Sequence, residues 1–311
     1  MDPQDILVTG GTGFVGRRLQ ERLPGARYLG SSDLDLRDGK AVAEAIADWQ
    51  PKVVVDMAAR VGGITANVAQ PADFLVDNLR MGANLIAAMR AHPPEHFIPM
   101  LSTCIYPDQV ADELYPMSED LLDAGPPPPT NAAYALSKRA LWYGAKALQA
   151  QYGVPYTALV PANLFGPGDH FGSEQSHFLA AAITKVETAR LEGAPFVEFF
   201  GTGVALRQFI LADDLAAVIA AVIERGPHNE TLNVACRQVR SIKEMAETIA
   251  REAGYEGEVR FSGTGPDGQY RKDADPSRLA AAVPAWTEIE TPFEEGVRRT
   301  LAWYRDHVAT R

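Results

Sequence analysis

The sequence predicts an α/β protein: a Rossmann-type, doubly wound parallel sheet followed by a smaller C-terminal α/β substrate-binding part. Three observations predict it. Short β-branched runs alternate with helical patterns through the first half of the chain. The first strand-to-helix turn carries glycines at positions 10, 13 and 16. Past Asn163 the regular alternation stops, and helices dominate.

The elements follow in order. Ile6–Thr9 reads as a buried strand and Phe14–Leu23 as a helix. Ala26–Leu29 is a second strand, and Ala41–Trp49 a helix with Asp38 as its N-cap. Val53–Met57, almost wholly apolar, is a third strand, Phe74–Met89 a long helix, and Phe97–Ser102 a fourth strand. A stiff, proline-rich loop (Gly125 to Thr130) precedes a helix from Tyr134 to Tyr152 and a strand over Tyr156–Pro161. Further helices are expected at His177–Leu191, Asp213–Glu224, Ser241–Ala253 and Pro292–His307. Two of these begin with capping-box patterns, Ser241 with Glu244 and Thr291 with Glu294. Residues 1–162 are therefore expected to form the dinucleotide-binding part. Residues 163–311 form the rest, with a segment near 205–225 returning to the first.

Composition narrows the class of function. A formal charge of −11 leaves no basic excess to neutralise phosphates on a nucleic acid or an anionic membrane. No apolar run approaches the roughly 18 residues of a membrane span, and no signal-peptide pattern opens the chain. Cys104 and Cys236 make neither a disulfide framework nor a metal-ligand spacing. The expectation is a metal-free protein in a reduced, cytoplasmic setting.

The stretch ILVTGGTGFVGRRL supplies what a dinucleotide needs: a tight turn, close backbone approach to a pyrophosphate, and free amides at a helix start. Gly10, Gly13, Phe14, Val15 and Gly16 are the candidates. An acid at the end of the second strand would mark NAD, but Gly30-Ser31-Ser32 stands there, with no carboxylate before Asp33. Those small residues leave room for a 2′-phosphate, so NADP(H) is the expected coenzyme, although no obvious arginine clamp follows. Asp35 and Leu36 are candidates for contacting its adenine.

Tyr134 and Lys138 lie four apart on one helical face. A free phenol, with a pKa near ~10, exchanges protons poorly at neutral pH, and a neighbouring ammonium is expected to lower that value. Tyr134 could then give its proton to a carbonyl oxygen as general acid, while Lys138 holds the nicotinamide ribose. Ser102, at the end of the fourth strand, would hydrogen-bond the same oxygen. Glycine turn, strand-end serine and Tyr-x-x-x-Lys together resemble the extended short-chain dehydrogenase/reductase superfamily.

Within that superfamily, further segments in matching order closely resemble the GDP-L-fucose synthase family: AARVGGITANVAQPADFLVDN, LSTCIYP, TNAAYALSKR, VPANLFGPGDHF, SHFLAAAI, FFGTGVALRQFILADD and PDGQYRKDAD. The resemblance implies epimerisation at C-3 and C-5 of a GDP-4-keto-6-deoxymannose and reduction at C-4 by NADPH. It places the epimerising acid–base pair on Cys104 and His177. Ser102 and Cys104, two apart in an extended strand end, would point to the same side. It adds Ala58, Ala59, Pro161, Asn163, Leu164 and His177 to the coenzyme site, and Asn163, Lys185, Phe200, Arg207 and Lys272 to the GDP-sugar site. Arg207 and Lys272 would hold the diphosphate, and the VGGI–Asn67 segment and Asn163 the sugar. A homodimer paired through the helices carrying Phe74 and Tyr134 is likewise implied. The chain departs from the family pattern at Phe200 (Trp there), at Gly168-Asp169-His170 (His-Asp-Asn) and at Gly265 (Lys), which leaves a related GDP-sugar as an alternative. A nucleotide-sugar 4-epimerase or dehydratase is a further alternative, but a dehydratase would place Asp-Glu where Thr103-Cys104 stands.

Overall fold

The computed structural model describes residues 2–172, 176–264 and 269–308. Gly265 and the start of the PDGQYRKDAD segment lie outside them. In chain order the elements are β1 (Ile6–Thr9), α1 (Phe14–Arg22), β2 (Arg27–Leu29), α2 (Gly39–Trp49), β3 (Val53–Asp56), α3 (Ile64–Ala69), α4 (Pro71–Ala91), β4 (His96–Pro99), α5 (Ala132–Tyr152), β5 (Thr157–Pro161), β6 (Asn163–Phe165) and α6 (Phe178–Glu192). They continue as β7 (Phe196–Phe199), β8 (Leu206–Arg207), β9 (Phe209–Leu211), α7 (Ala212–Arg225), β10 (Glu230–Val234), β11 (Arg240–Ser241), α8 (Ile242–Ala253), β12 (Glu258–Phe261), α9 (Ser277–Ala282), α10 (Trp286–Ile289) and α11 (Phe293–His307).

The main sheet is parallel and runs β2-β1-β3-β4, continued through bridges Phe97–Tyr156 and Met100–Leu159 to β5 and β10. Its inner strands are buried on both faces because helices cover both, which is why β1 and β3 read as largely apolar runs. On one face α4 and α5 pack together over Leu85, Met89, Leu141 and Ala145. On the other, α1 and α7 pack over Leu19, Leu215 and Ile219, with Trp286 fully buried beside them. The chain order turns back between β1 and β3, and a doubly wound sheet opens its ligand crevice at the carboxyl ends on either side of such a switch. A third core joins α6, α8 and α11 to β7 and β9 through Phe165, Ile183, Phe199, Ile249 and Leu301. Short pairs (β6–β9, β8–β11, β7–β12) complete that part.

Some expectations require correction. The fourth strand ends at Pro99, not Ser102, because Thr103–Ile105 turns into a 3-10 segment whose N-cap is Ser102. The helix expected from Phe74 begins three residues earlier at Pro71, a residue suited to the first helical position. The Thr291–Glu294 capping box does not form: Thr291 gives both its N–H (2.8 Å) and its hydroxyl (2.7 Å) to the Asp214 carboxylate. The Ser241–Glu244 box forms in full. No helix among the described residues is long and apolar enough to cross a membrane.

His96, at the start of β4, is buried with Nε2 2.9 Å from the Thr157 hydroxyl. Burial, with His228 adding repulsion, pushes its pKa down to about 4. The unfolded chain takes up this proton near pH ~6.5 and the folded chain does not, so its contribution is complete above ~6.5 and lost as pH falls toward 4. His96→Gln should flatten the stability slope across that window by up to about 3 kcal/mol. Urea unfolding at several pH values checks this, and an unchanged slope would place the dependence elsewhere.

Candidate active site

The glycine turn fits a dinucleotide by its backbone. Gly10 has φ +66°, and a Cβ there would meet the Ala58 amide nitrogen at 2.8 Å. A Cβ on Gly16 would come within 2.3 Å of the Gly11 carbonyl, so α1 can lie against the turn only through glycine. Gly13 is the N-cap of α1 and no side chain caps that end, so Phe14 and Val15 open a helix whose first amides are free to meet phosphate oxygens. Ala58 and Ala59 follow β3 alongside, with the Ala58 N–H donating to Thr9 Oγ1 at 3.3 Å. Asp35 is held by Arg37, whose guanidinium lowers the carboxyl to about pKa 2. Leu36, the other residue expected at the adenine, is packed into the sheet core.

At the next strand ends the candidate chemical groups converge. Lys138 is buried, and its ammonium donates to the Met100 carbonyl at 2.9 Å. Burial lowers its pKa, opposed by the charge of Asp56 at the end of β3. Asp56 is itself buried, and accepts the Thr9 hydroxyl at 2.6 Å. Burial raises Tyr134 above the ordinary phenol range, with the charge of Cys104 as the second cause, so the two groups lie within electrostatic reach of each other. This corrects the expectation that Lys138 draws the phenol down. The ammonium is bonded to the Met100 carbonyl, and the cost of burying a phenolate is the larger effect. Ser102 Oγ accepts the Cys104 N–H at 3.2 Å. Both residues therefore sit in a capped 3-10 turn, and their nearness comes from that cap rather than from strand alternation.

Lys272 Nζ lies 3.6 Å from Cys104 Sγ. The sequence expectation joined Lys272 to Arg207 on a diphosphate, and the structure sets its ammonium beside the thiol. Arg207 reaches across β8 to the Leu206 (2.7 Å) and Tyr270 (3.4 Å) carbonyls and lines a cleft of about 460 Å³ with Arg237, Arg240 and Phe293. Lys185 lies over the Phe199 and Phe200 rings, 5.3 and 5.5 Å from their centroids, and Phe200 is 83% exposed. His177 is the exposed N-cap of α6 and counters the burial that raises the Asp169 carboxyl, which places those two residues together. Pro161 ends β5 against Val234, Leu164 pairs with Ile210, and Asn163 Nδ2 donates to the Gln208 carbonyl at 3.0 Å. Asn67, expected to face a sugar, is buried and ties the Gly62 and Gly63 carbonyls.

Two positioning residues escaped the sequence reading. Asp56 ends the apolar run VVVD, a signal visible in the sequence. Arg139 is next to Lys138 and looks like an ordinary helix arginine. Its Nε and Nη2 bond the Ile105 carbonyl (2.9 and 2.5 Å), and Nη2 also bonds Gly125 (2.7 Å). It thereby holds the Cys104 turn to α5.

Residues 6–235 match the family described as NAD dependent epimerase/dehydratase. The chain is 34% identical to the GDP-L-fucose synthase of Escherichia coli (strain K12), covering 99% of this chain and 98% of that protein. It is also 34% identical to GDP-L-fucose synthase 1 of Arabidopsis thaliana, covering 98% and 94%. A crystal structure of a GDP-L-fucose synthetase from Naegleria fowleri bound to NADP superposes with a TM-score of 0.84 at 30% identity, covering 98% of this chain and 95% of that one.

Replacing Arg139 by Ala strips charged donors from two carbonyls. It should lower stability by about 1–3 kcal/mol in denaturant unfolding. Arg139→Lys should recover only part, since one ammonium cannot reproduce the planar fork. A full recovery would show that charge alone, not geometry, holds the turn.

Proposed function

The chain belongs to the NAD dependent epimerase/dehydratase family and, within it, to the GDP-L-fucose synthases, and from that premise we infer that it is an NADPH-dependent epimerase/reductase making GDP-L-fucose. Its substrate on this reading is GDP-4-keto-6-deoxy-D-mannose, inverted at C-3 and C-5 and reduced at C-4. The observation that carries the reading is the Ser102–Cys104 turn lying within electrostatic reach of Tyr134, beside the buried Lys138 and the glycine turn.

NADP(H) would lie along the turn, with its pyrophosphate at the Phe14–Gly16 amides and Ala58, Ala59, Pro161, Asn163, Leu164 and His177 flanking it. Bound there, the reduced coenzyme supplies the hydride for C-4. The ketone at C-4 acidifies the hydrogens on C-3 and C-5, since either carbanion delocalises as an enolate. Cys104 is the base that removes each proton, with the Lys272 charge beside its sulfur. His177, exposed at the head of α6, returns a proton on the opposite face. Tyr134, kept neutral by burial, holds a proton to give to the C-4 oxygen, and Ser102 steadies that oxygen. Lys138 then faces the phenolate that the transfer leaves behind. Arg207 and Lys272, with Lys185, would take the diphosphate oxygens, and the exposed Phe200 would offer a ring face to the nucleotide.

Residues 1–162 are assigned to the NADP(H)-binding part and 163–311 to the GDP-sugar part, with the segment near 205–225 returning to the first. The packing of α7 on α1 supports that return. We read α4 and α5 as the face of a homodimer, on which Val76, Leu79, Leu136 and Tyr143 are exposed. The acidic charge speaks against nucleic acid as a partner, and the free cysteines fit a cytoplasmic setting.

Incubation with GDP-4-keto-6-deoxymannose and NADPH, followed by NMR of ring stereochemistry, tests the reaction. Tyr134→Phe should slow NADPH oxidation about 10²–10⁴-fold while solvent deuterium still enters C-3 and C-5. Cys104→Ala should abolish that deuterium entry. Undiminished exchange in the cysteine variant would remove Cys104 as base, and full-rate reduction by the phenylalanine variant would remove Tyr134 as acid.

A further inference from the structure

The glycine turn lies directly on the end of β2. The Gly11 N–H donates to the Leu29 carbonyl at 2.9 Å, and a Cβ on Gly30 would come within 2.5 Å of Thr12 Oγ1. In a doubly wound dinucleotide fold this strand end faces the adenosine ribose, where a carboxylate selects a free 2′-hydroxyl and a guanidinium a 2′-phosphate. The carboxylate nearest in sequence, Asp33, is folded back, with Oδ2 accepting the Gly30 N–H at 2.8 Å. Residues 30–34 hold no lysine or arginine, so the turn after β2 brings no cation of its own.

Two arginines farther along that side stand among the carboxylates of Asp35, Asp38 and Asp77. Arg37 grips Asp35 at 2.9 Å and reaches Asp77 at 3.7 Å, and the charge of Arg80 acts on the same Asp35. Arg17 differs. It is exposed on α1, and its Nε donates to the Thr12 carbonyl at 3.0 Å. That bond ties the guanidinium to the residue that rests on Gly30. Among the described residues Arg17 forms no ion pair, so both terminal nitrogens remain for a ligand.

We propose that Arg17 is the specificity-determining residue for the coenzyme's 2′-phosphate, a cation from the first helix serving the end of the second strand. The Thr12 carbonyl fixes Nε, Nη1 and Nη2 meet the phosphate oxygens, and the exposed Ser31 and Ser32 border the same position. The assignment rests on the NADP(H) reading above and deepens it.

Calorimetric titration of the full chain with 2′,5′-ADP and with 5′-AMP separates the phosphate from the rest of the nucleotide without any turnover. Arg17→Met, which keeps the aliphatic stem, should lose about tenfold or more in affinity for 2′,5′-ADP, the worth of a charge-assisted bond. Its affinity for 5′-AMP should stay unchanged, which also shows that the variant is folded. Arg37→Met should keep the wild-type ratio of the two affinities. Equal weakening of both ligands by Arg17→Met would overturn the assignment, since Arg17 would then merely support the turn. Loss of the ratio in Arg37→Met instead, or a wild-type chain that binds both ligands alike, would overturn it as well. Ketosugar reduction is measured separately, so a failure of the reaction reading would leave these affinities standing.

Discussion

The geometry of the candidate site depends on where one buried ammonium finds its partners. An unpaired lysine inside a protein costs several kcal/mol, so Lys138 cannot occupy its position without a local acceptor. The Met100 carbonyl provides it at 2.9 Å, and Asp56 supplies opposing charge from the neighbouring strand. The bond therefore does two things. It registers α5 against the carboxyl ends of β3 and β4, and it fixes how far along the sheet edge the first turn of α5 projects. Tyr134, one turn earlier on the same face, is carried with it toward Cys104.

The thiol reaches that place by a different route. β4 stops at Pro99, and the chain turns into a 3-10 segment capped by Ser102. Arg139, adjacent to Lys138, clasps the far end of that segment through Ile105 and ties it to Gly125. Helix α5 thus holds both sides of the candidate centre. Its lysine anchors the strand end before Cys104, and its arginine anchors the turn after it. Such double anchoring suits acid–base work, where misplacement of a proton donor by an ångström is costly.

What could be read from the sequence was local in origin. The β-branched runs, the glycine turn and the Tyr134/Lys138 spacing each encode their geometry within a few residues, and each element lies where its pattern placed it. Failures came where a distant group competed. Thr291 has a sound capping sequence, yet Asp214, 77 residues away, takes its hydroxyl and its amide. Lys138 was expected to tune its helical neighbour, but a carbonyl 38 residues away holds its ammonium. Lys272 meets Cys104 across 168 residues, a contact no spacing rule could reveal. The small helix α3 was missed because six residues after a Gly-Gly pair give too little periodicity to register.

The same competition bears on the direction of proton transfer. A phenol lowered by a lysine would be partly ionised and ready to accept a proton, whereas burial without that help keeps Tyr134 in its acid form. Reduction of a ketone needs a proton donor at the oxygen, so the neutral phenol is the form the reductive direction requires. Ionisation becomes favourable only as negative charge passes from the ketone oxygen to the phenol, and Lys138 lies one helical turn from where that charge would settle. A lysine held to a neutral carbonyl, rather than locked in an ion pair, retains most of its field for that moment. The buried carboxylate of Asp56 limits this field, and its own bond to Thr9 keeps it at the base of the site and away from the phenol. The arrangement therefore favours Tyr134 as a group that gives a proton over one that accepts it.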